Sequence, residues 1–193
     1  MKSNTLLYRI FLVLLSTTLS SFAFTQEDED TLAVDSDTLA VGADLLGVPV
    51  ITTVQTKNSE QVDEILSFAK RFLGTPYHFA GSTPSGFDCS GFIYYVMGNF
   101  GMELTRSSYG LAEFGETVKL AEIRPGDLLF FKGRNVNSTK VGHVALVVEV
   151  TPEAIRFIHA SSSRGVVIDN FKASKYYIPR FIKAKRLDYG TGQ

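Results

Sequence analysis

Cys89 is the only cysteine in this chain of 193 residues, and it lies within Gly86-Phe87-Asp88-Cys89-Ser90-Gly91-Phe92. A lone thiol there can act as a nucleophile, or it can pack as a small apolar side chain. The residues that follow bear on the choice. Phe92, Ile93, Val96, Met97 and Phe100 recur at the spacing of one helix face, with Gly101 where such a helix would stop. Asp88 is then the expected N-cap and Cys89 the first helical residue. The sulfur would face the positive end of the helix dipole, which favours thiolate. A nucleophile of this kind needs a base, and the chain offers three histidines, His78, His143 and His159.

Two of them can be brought together by a hairpin. His143 opens the longest strand pattern, 143–150, and His159 nearly closes the next, 154–160. Thr151-Pro152-Glu153 is a tight connection between them. With Val150 opposite Ala154, His143 faces Ser161 and His159 lies one diagonal step away on the same sheet face. Diagonal neighbours are about 7–8 Å apart at Cα, within reach of two imidazoles. That placement suits a general base with an orienting partner behind it. Two unrelated strand-end histidines are the bland alternative. A pair of histidines with no third ligand at suitable spacing does not make a zinc site, so no metal is expected. His78 falls in a turn-rich loop, 75–82, and reads as a rim residue without an assigned role.

The surrounding chain divides into three parts. Residues 1–25 read as a signal peptide: Lys2 and Arg9 precede an apolar run from Ile10 to Leu19, and Ser21-Phe22-Ala23 resembles a cleavage site. That run is shorter than the ~20 apolar residues of a membrane span, so no integral span is expected after cleavage. The protein is therefore expected to be exported, either periplasmic or secreted. A thiol that cannot form an internal disulfide in an oxidising compartment needs another reason to be there, and catalysis is one. Residues 26–57 read as an acidic flexible tether that starts with Glu27-Asp28-Glu29-Asp30. The folded domain is expected at 58–193. From Asn58 on, 16 Lys and Arg stand against 13 Asp and Glu, a mildly basic balance suited to an anionic polymer surface. No basic run with interleaved aromatics suggests nucleic acid.

Asn58 and Gln61 have the spacing of a capping box, and Val62, Ile65, Leu66, Ala69, Phe72 and Leu73 form a helical stripe. Gly74 and Pro76 end it. A short helix is expected from Ser108 to Phe114. Beyond the Pro125-Gly126-Asp127 turn the pattern changes to strands at 128–131, 143–150, 154–160, 166–168 and 181–187. Helices in front and strands behind predict an α+β fold with a mainly antiparallel sheet.

Six blocks then carry a resemblance. They are Gly74-Thr75-Pro76-Tyr77 with Gly81, Phe87-Asp88-Cys89-Ser90-Gly91-Phe92, Thr105-Arg106-Ser107-Ser108, 125–131, Gly142-His143-Val144-Ala145 and 157–161. In this order, from Leu66 to Leu187, the chain resembles the NlpC-type cell-wall peptidases, a branch of the papain-like cysteine peptidases. The resemblance implies a papain-like domain with Cys89 as nucleophile, His143 as base and His159 as the orienting third residue. It implies that Tyr77 lies beside the nucleophile and helps hold the substrate or the oxyanion, and it places Asp88, Ser90, Arg106 and Ser107 near the substrate cleft. No cofactor is implied. One departure is Tyr109-Gly110-Leu111, where many relatives carry a glutamine. The implied function is an exported peptidoglycan hydrolase that cuts an amide bond in the peptide stem, between γ-D-glutamate and a diamino acid. The alternatives are a papain-like amidase or acyltransferase on a non-murein substrate, a D,D-type crosslink endopeptidase, and a non-catalytic wall-binding module.

Overall fold

The computed structural model describes residues 51–190, with side chains from Asn58 onward. The expected signal peptide and most of the expected tether lie outside these residues. The last part of that tether, 51–57, is helical. Helix α1 spans Ile51–Lys70, so Asn58 sits inside it and caps nothing. Ile65, Leu66 and Ala69 are buried, as their spacing predicts, whereas Leu73, expected in the same stripe, lies past the end of α1 and is exposed. Gly74, at φ 84°, makes the left-handed exit that a residue with a Cβ would resist.

The loop after α1 holds a small hairpin, β1 (Ser82–Thr83) and β2 (Gly86–Phe87), which the sequence did not announce. Helix α2, Cys89–Gly98, follows at once and buries Phe92, Ile93, Val96 and Met97. Phe68, Phe72, Phe87, Phe92, Tyr95 and Phe100 form one aromatic cluster, mostly edge to face, with Tyr95 stacked on Phe68 and a Phe68–Phe72 centroid separation of 5.1 Å. Helix α3 is only Ser108–Leu111, shorter than expected, and is capped by the Ser107 hydroxyl.

The sheet contains β3 (Glu116–Val118), β4 (Leu128–Lys132), β5 (Val141–Val150), β6 (Ile155–Ser161), β7 (Gly165–Asn170) and β8 (Phe181–Arg186). Their order is β3-β8-β4-β5-β6-β7 and every pairing is antiparallel. Both faces are covered, so the central strands are buried without alternation. Phe130, Val144, Leu146 and Ile158 pack toward the helices. Leu129, Phe131, Ala145, Val147 and Phe157 build a second core on the other face, closed by Phe171 and Tyr177. Fully burying one such side chain contributes roughly 1.5–3 kcal/mol. Asp127, buried at the head of β4, is satisfied by two 2.8 Å bonds from the Arg186 guanidinium and one from the Arg124 amide.

The β5–β6 hairpin reaches the expected register by an unexpected route. Thr151 pairs with Ala154 around a two-residue turn, so Val150 meets Ile155 rather than Ala154. A β-bulge between Val147 and Glu149 then absorbs one residue, and Val147 faces Phe157. From there toward the histidines the offset equals the one read from the sequence.

Candidate active site

Cys89 is the first residue of α2, and Asp88 caps it by accepting the Gly91 amide at 2.7 Å. Asp88 also takes the Ser90 hydroxyl at 3.1 Å and the Arg106 guanidinium at 3.0 Å. Arg106 reaches on to the Gly81 carbonyl at 2.8 Å, tying the start of α2 to the loop before β1. This explains Gly91: a Cβ there would overlap both the Gly81 carbonyl oxygen and the guanidinium. The network fixes where the Cys89 sulfur sits. The sulfur lies against the backbone amide of Val144, next in sequence to His143. Cys89, Tyr77 and His143 line one cleft of about 650 Å³, together with Ser161, Arg164, Asp169 and Tyr177.

Behind His143 runs a chain of hydrogen bonds. His143 Nε2 lies 3.0 Å from His159 Nδ1, and His159 Nε2 lies 3.0 Å from Asp169 Oδ2. Arg164 clamps Asp169 through both guanidinium nitrogens, at 3.1 and 2.5 Å. This chain settles the tautomers by elimination. The Asp169 carboxylate can only accept, so His159 Nε2 carries its proton and Nδ1 its lone pair. His143 must then donate from Nε2, which leaves Nδ1 as its lone-pair nitrogen. Tyr177 approaches His159 Nε2 at 3.4 Å and stacks on the His143 ring at 6.0 Å, which holds both rings in place.

Electrostatics favour a neutral pair at rest. Burial pushes the Cys89 thiol up, and the Asp88 charge adds to the rise while the Val144 amide opposes it. Burial, with His159 beside it, lowers His143 to about 3. His159 is also lowered, first by burial, although Asp169 pulls the other way. Asp169 is held well below the usual carboxylate range, chiefly by its hydrogen bond from His159 and then by Arg164. The expectation of a thiolate from the helix dipole alone therefore meets a stronger opposing effect. Desolvation outweighs the few amides at the helix start.

Residues 74–186, more than half of the chain, match the model of the NlpC/P60 family. The chain belongs to this family. It is 36% identical over 142 residues to the gamma-DL-glutamyl hydrolase of Bacillus subtilis, a match spanning 72% of this chain and 33% of that protein. It is 32% identical over 132 residues to the murein DD-endopeptidase MepS/murein LD-carboxypeptidase of Escherichia coli, covering 68% of this chain and 65% of that one. A probable endopeptidase of Haemophilus influenzae is 30% identical over 182 residues, 93% of this chain and 98% of its own length. An NlpC/P60 family protein from Bacillus cereus superposes with a TM-score of 0.59 at 30% identity, over 67% of this chain and 40% of that structure. The chain thus spans a third of the Bacillus subtilis relative and just under two thirds of MepS. The fold is the α+β, papain-like one of NlpC/P60 domains, and the chain carries a cysteine-peptidase domain.

In this NlpC/P60 domain the residues singled out by sequence fall into two groups. Cys89, His143 and Tyr77 line the cleft, with His159 buried directly behind. Asp88, Ser90 and Arg106 bond one another below the start of α2, and Ser107 caps α3; none of these four lines the cleft. They hold the start of α2 at Cys89 and the start of α3 in place instead of facing the cavity. His78 is exposed and also lies outside the lining. Asp169, Arg164 and Tyr177 were not singled out. Asp169 was missed because the expected strand stopped at 168, whereas β7 continues to Asn170. The signal was there: Val167 pairs with His159, so Asp169, two residues on, shares that face. Among the described residues no group of three or more His, Cys, Asp or Glu side chains is disposed to hold a metal.

Proposed function

We propose that the protein is an exported peptidoglycan hydrolase that cuts an amide bond in the murein stem peptide, next to γ-D-glutamate. The observation that carries the mechanism is the ordered relay behind the cleft. Asp169 and His159 set the His143 tautomer so that its lone-pair nitrogen, Nδ1, is free for the Cys89 thiol. As Sγ attacks the carbonyl carbon, its proton passes to His143 Nδ1 and the carbonyl oxygen gains the negative charge. The Tyr77 hydroxyl and the backbone amide of Cys89 are the donors for that oxygen, and one well-placed donor contributes about 3 kcal/mol. Collapse of the intermediate breaks the C–N bond, and the amine leaves with the proton from His143. Water then gives a proton to His143, its oxygen attacks the thioester, and the carboxylic acid and the Cys89 thiol are released.

The names of the relatives support the substrate class. One is a γ-DL-glutamyl hydrolase and another a murein DD-endopeptidase. Export is supported by the N-terminal sequence pattern, and no helix among the described residues is long and apolar enough to cross a membrane. The test is mass spectrometry of purified muropeptides after incubation with the protein and with Cys89→Ala. New free γ-D-glutamyl carboxylates, absent with the variant, are expected. Products cut only at the D,D crosslink would assign the second relative's bond, and no product from any muropeptide would overturn the substrate class.

A further inference from the structure

Three cationic side chains line the cleft, Lys132, Arg134 and Arg164, against one carboxylate, Asp169. Two of the cations are engaged. Arg164 is spent on Asp169, and Lys132 donates to the Val136 carbonyl at 2.9 Å. Among the described residues the Arg134 guanidinium has no hydrogen-bond or ion-pair partner. Its backbone is nevertheless held. The Arg134 carbonyl lies 3.5 Å from Arg180 Nη2, and Arg180 is itself fixed by stacking 3.8 Å over the Tyr176 ring and by donating to the Tyr176 carbonyl at 2.9 Å. Gly133 and Gly142 close the base of the same loop, where a Cβ on Gly142 would come within 2.7 Å of the Gly133 nitrogen. Burial raises the Tyr77 phenol, the Cys89 and Asp88 charges add to the rise, and the Arg134 charge opposes it. An anchored loop thus carries an uncommitted fork of donors in the wall of the cleft that Cys89 also lines.

We propose that Arg134 binds a free carboxylate of the substrate peptide, carried by a residue that flanks the scissile amide. The proposal rests on the peptide-hydrolase reading above and adds the feature of the peptide that this cleft selects. A guanidinium pairs both of its parallel N–H groups with a carboxylate. A carboxamide at the same place offers one acceptor and turns an N–H₂ donor toward the other guanidinium nitrogen. Since the Asp169 charge is already matched by Arg164 and His159, no carboxylate among the described lining residues competes with the ligand for Arg134. The cleft therefore discriminates between a peptide whose flanking carboxylate is free and one in which it is amidated.

The experiment uses three synthetic γ-D-glutamyl–diamino acid peptides. One carries free carboxylates, one is amidated at the glutamyl α-carboxyl, and one is amidated at the diamino acid carboxyl. The expected result is a preference of the wild type for the free acid over at least one amide, on the order of ten- to a hundredfold in kcat/KM, expressed mainly in KM. In Arg134→Ala that ratio falls to about one, and in Arg134→Glu it inverts. A ratio that stays the same in Arg134→Ala overturns the proposal. So does an equal loss on all three peptides. Binding of the same peptides to Cys89→Ala, with and without Arg134→Ala, is measured by calorimetry and does not depend on turnover. Failure of the wild type to hydrolyse any of the three counts against the function proposed above. Arg134-dependent preference for the acid in the binding arm would still support the subsite, and absence of that preference sinks it.

Discussion

Nε2 of His159 lies 3.0 Å from a carboxylate oxygen of Asp169, although the two stand ten positions apart and on different strands. The pairing follows from the β6–β7 register, which sets His159 opposite Val167 and leaves Asp169 one diagonal step along the same face. Arg164, in the turn between these strands, completes the clamp. Asp169 touches neither Cys89 nor His143 and acts through His159, so removing it should matter only while His159 is present. Asp169→Ala is expected to lower kcat roughly ten- to a hundredfold, as outer partners of oriented histidines do elsewhere. In a His159→Gln background the same change should cost little more. Additive losses in this double-mutant cycle would show that Asp169 serves packing instead.

The two histidines should be unequal. His143→Ala removes the proton acceptor and should approach the inactivity of Cys89→Ala, a loss of about 10²–10⁴-fold. His159→Ala should retain a measurable rate, because its partner is still present and only the tautomer and angle of the base are released. His159→Asn or His159→Gln should recover part of that loss, since either amide oxygen can accept the His143 Nε2–H. Turnover of one defined stem peptide by these variants checks the order. A milder effect of His143→Ala than of His159→Ala would exchange the two assignments.

Alkylation reports the resting protonation state. A thiol raised by burial, in the same cleft as an imidazole lowered to about 3, remains protonated through neutral pH. The rate of Cys89 with iodoacetamide should therefore climb with pH through and beyond the ordinary thiol range near ~8.5. No plateau is expected on the acid side. A fast, flat rate between about pH 4 and 7 would instead reveal a pre-formed thiolate–imidazolium pair.

Stability should fall on acidification, with a sign that follows from the shifts. His143 and His159 titrate lower in the folded protein than the usual ~6.5, so below that pH the unfolded chain binds more protons. Their contribution is complete above ~6.5 and declines as pH falls toward the folded value, about 3 for His143. Asp169 is depressed as well, so its contribution is present above ~3.9 and is lost further into acid. Urea denaturation at several pH values should show this slope, and His143→Gln should flatten the part between pH 6.5 and 3. An unchanged slope in that variant would place the acid sensitivity elsewhere.

Much of this protein can be read locally. The start of α2 at Cys89 follows from an N-capping aspartate and an apolar period, both of which are properties of a few adjacent residues. The strands from β4 to β8 were visible for the same reason, since runs of Val, Ile and Phe between turn formers need no tertiary partner to be recognised. The meeting of His143 with His159 was also legible, because a tight turn fixes a register over the length of a hairpin. Even there the agreement depended on a bulge at Val148 that cancels a one-residue difference in the turn.

What the tertiary structure decided are the contacts that join elements distant in sequence. Arg106 reaches Asp88 and the Gly81 carbonyl from beyond α2, which joins Asp88, Ser90 and Arg106 into a frame at the start of α2 that does not itself line the cavity. Asp169 becomes the anchor of the relay only because β7 runs two residues past its last apolar position. The protonation state of Cys89 was decided in the same way. The helix start that favours thiolate is local and was legible, whereas the burial that opposes it involves elements far along the chain, such as β5, more than 50 residues later. Desolvation depends on everything packed around a group, and no short stretch of sequence contains that information.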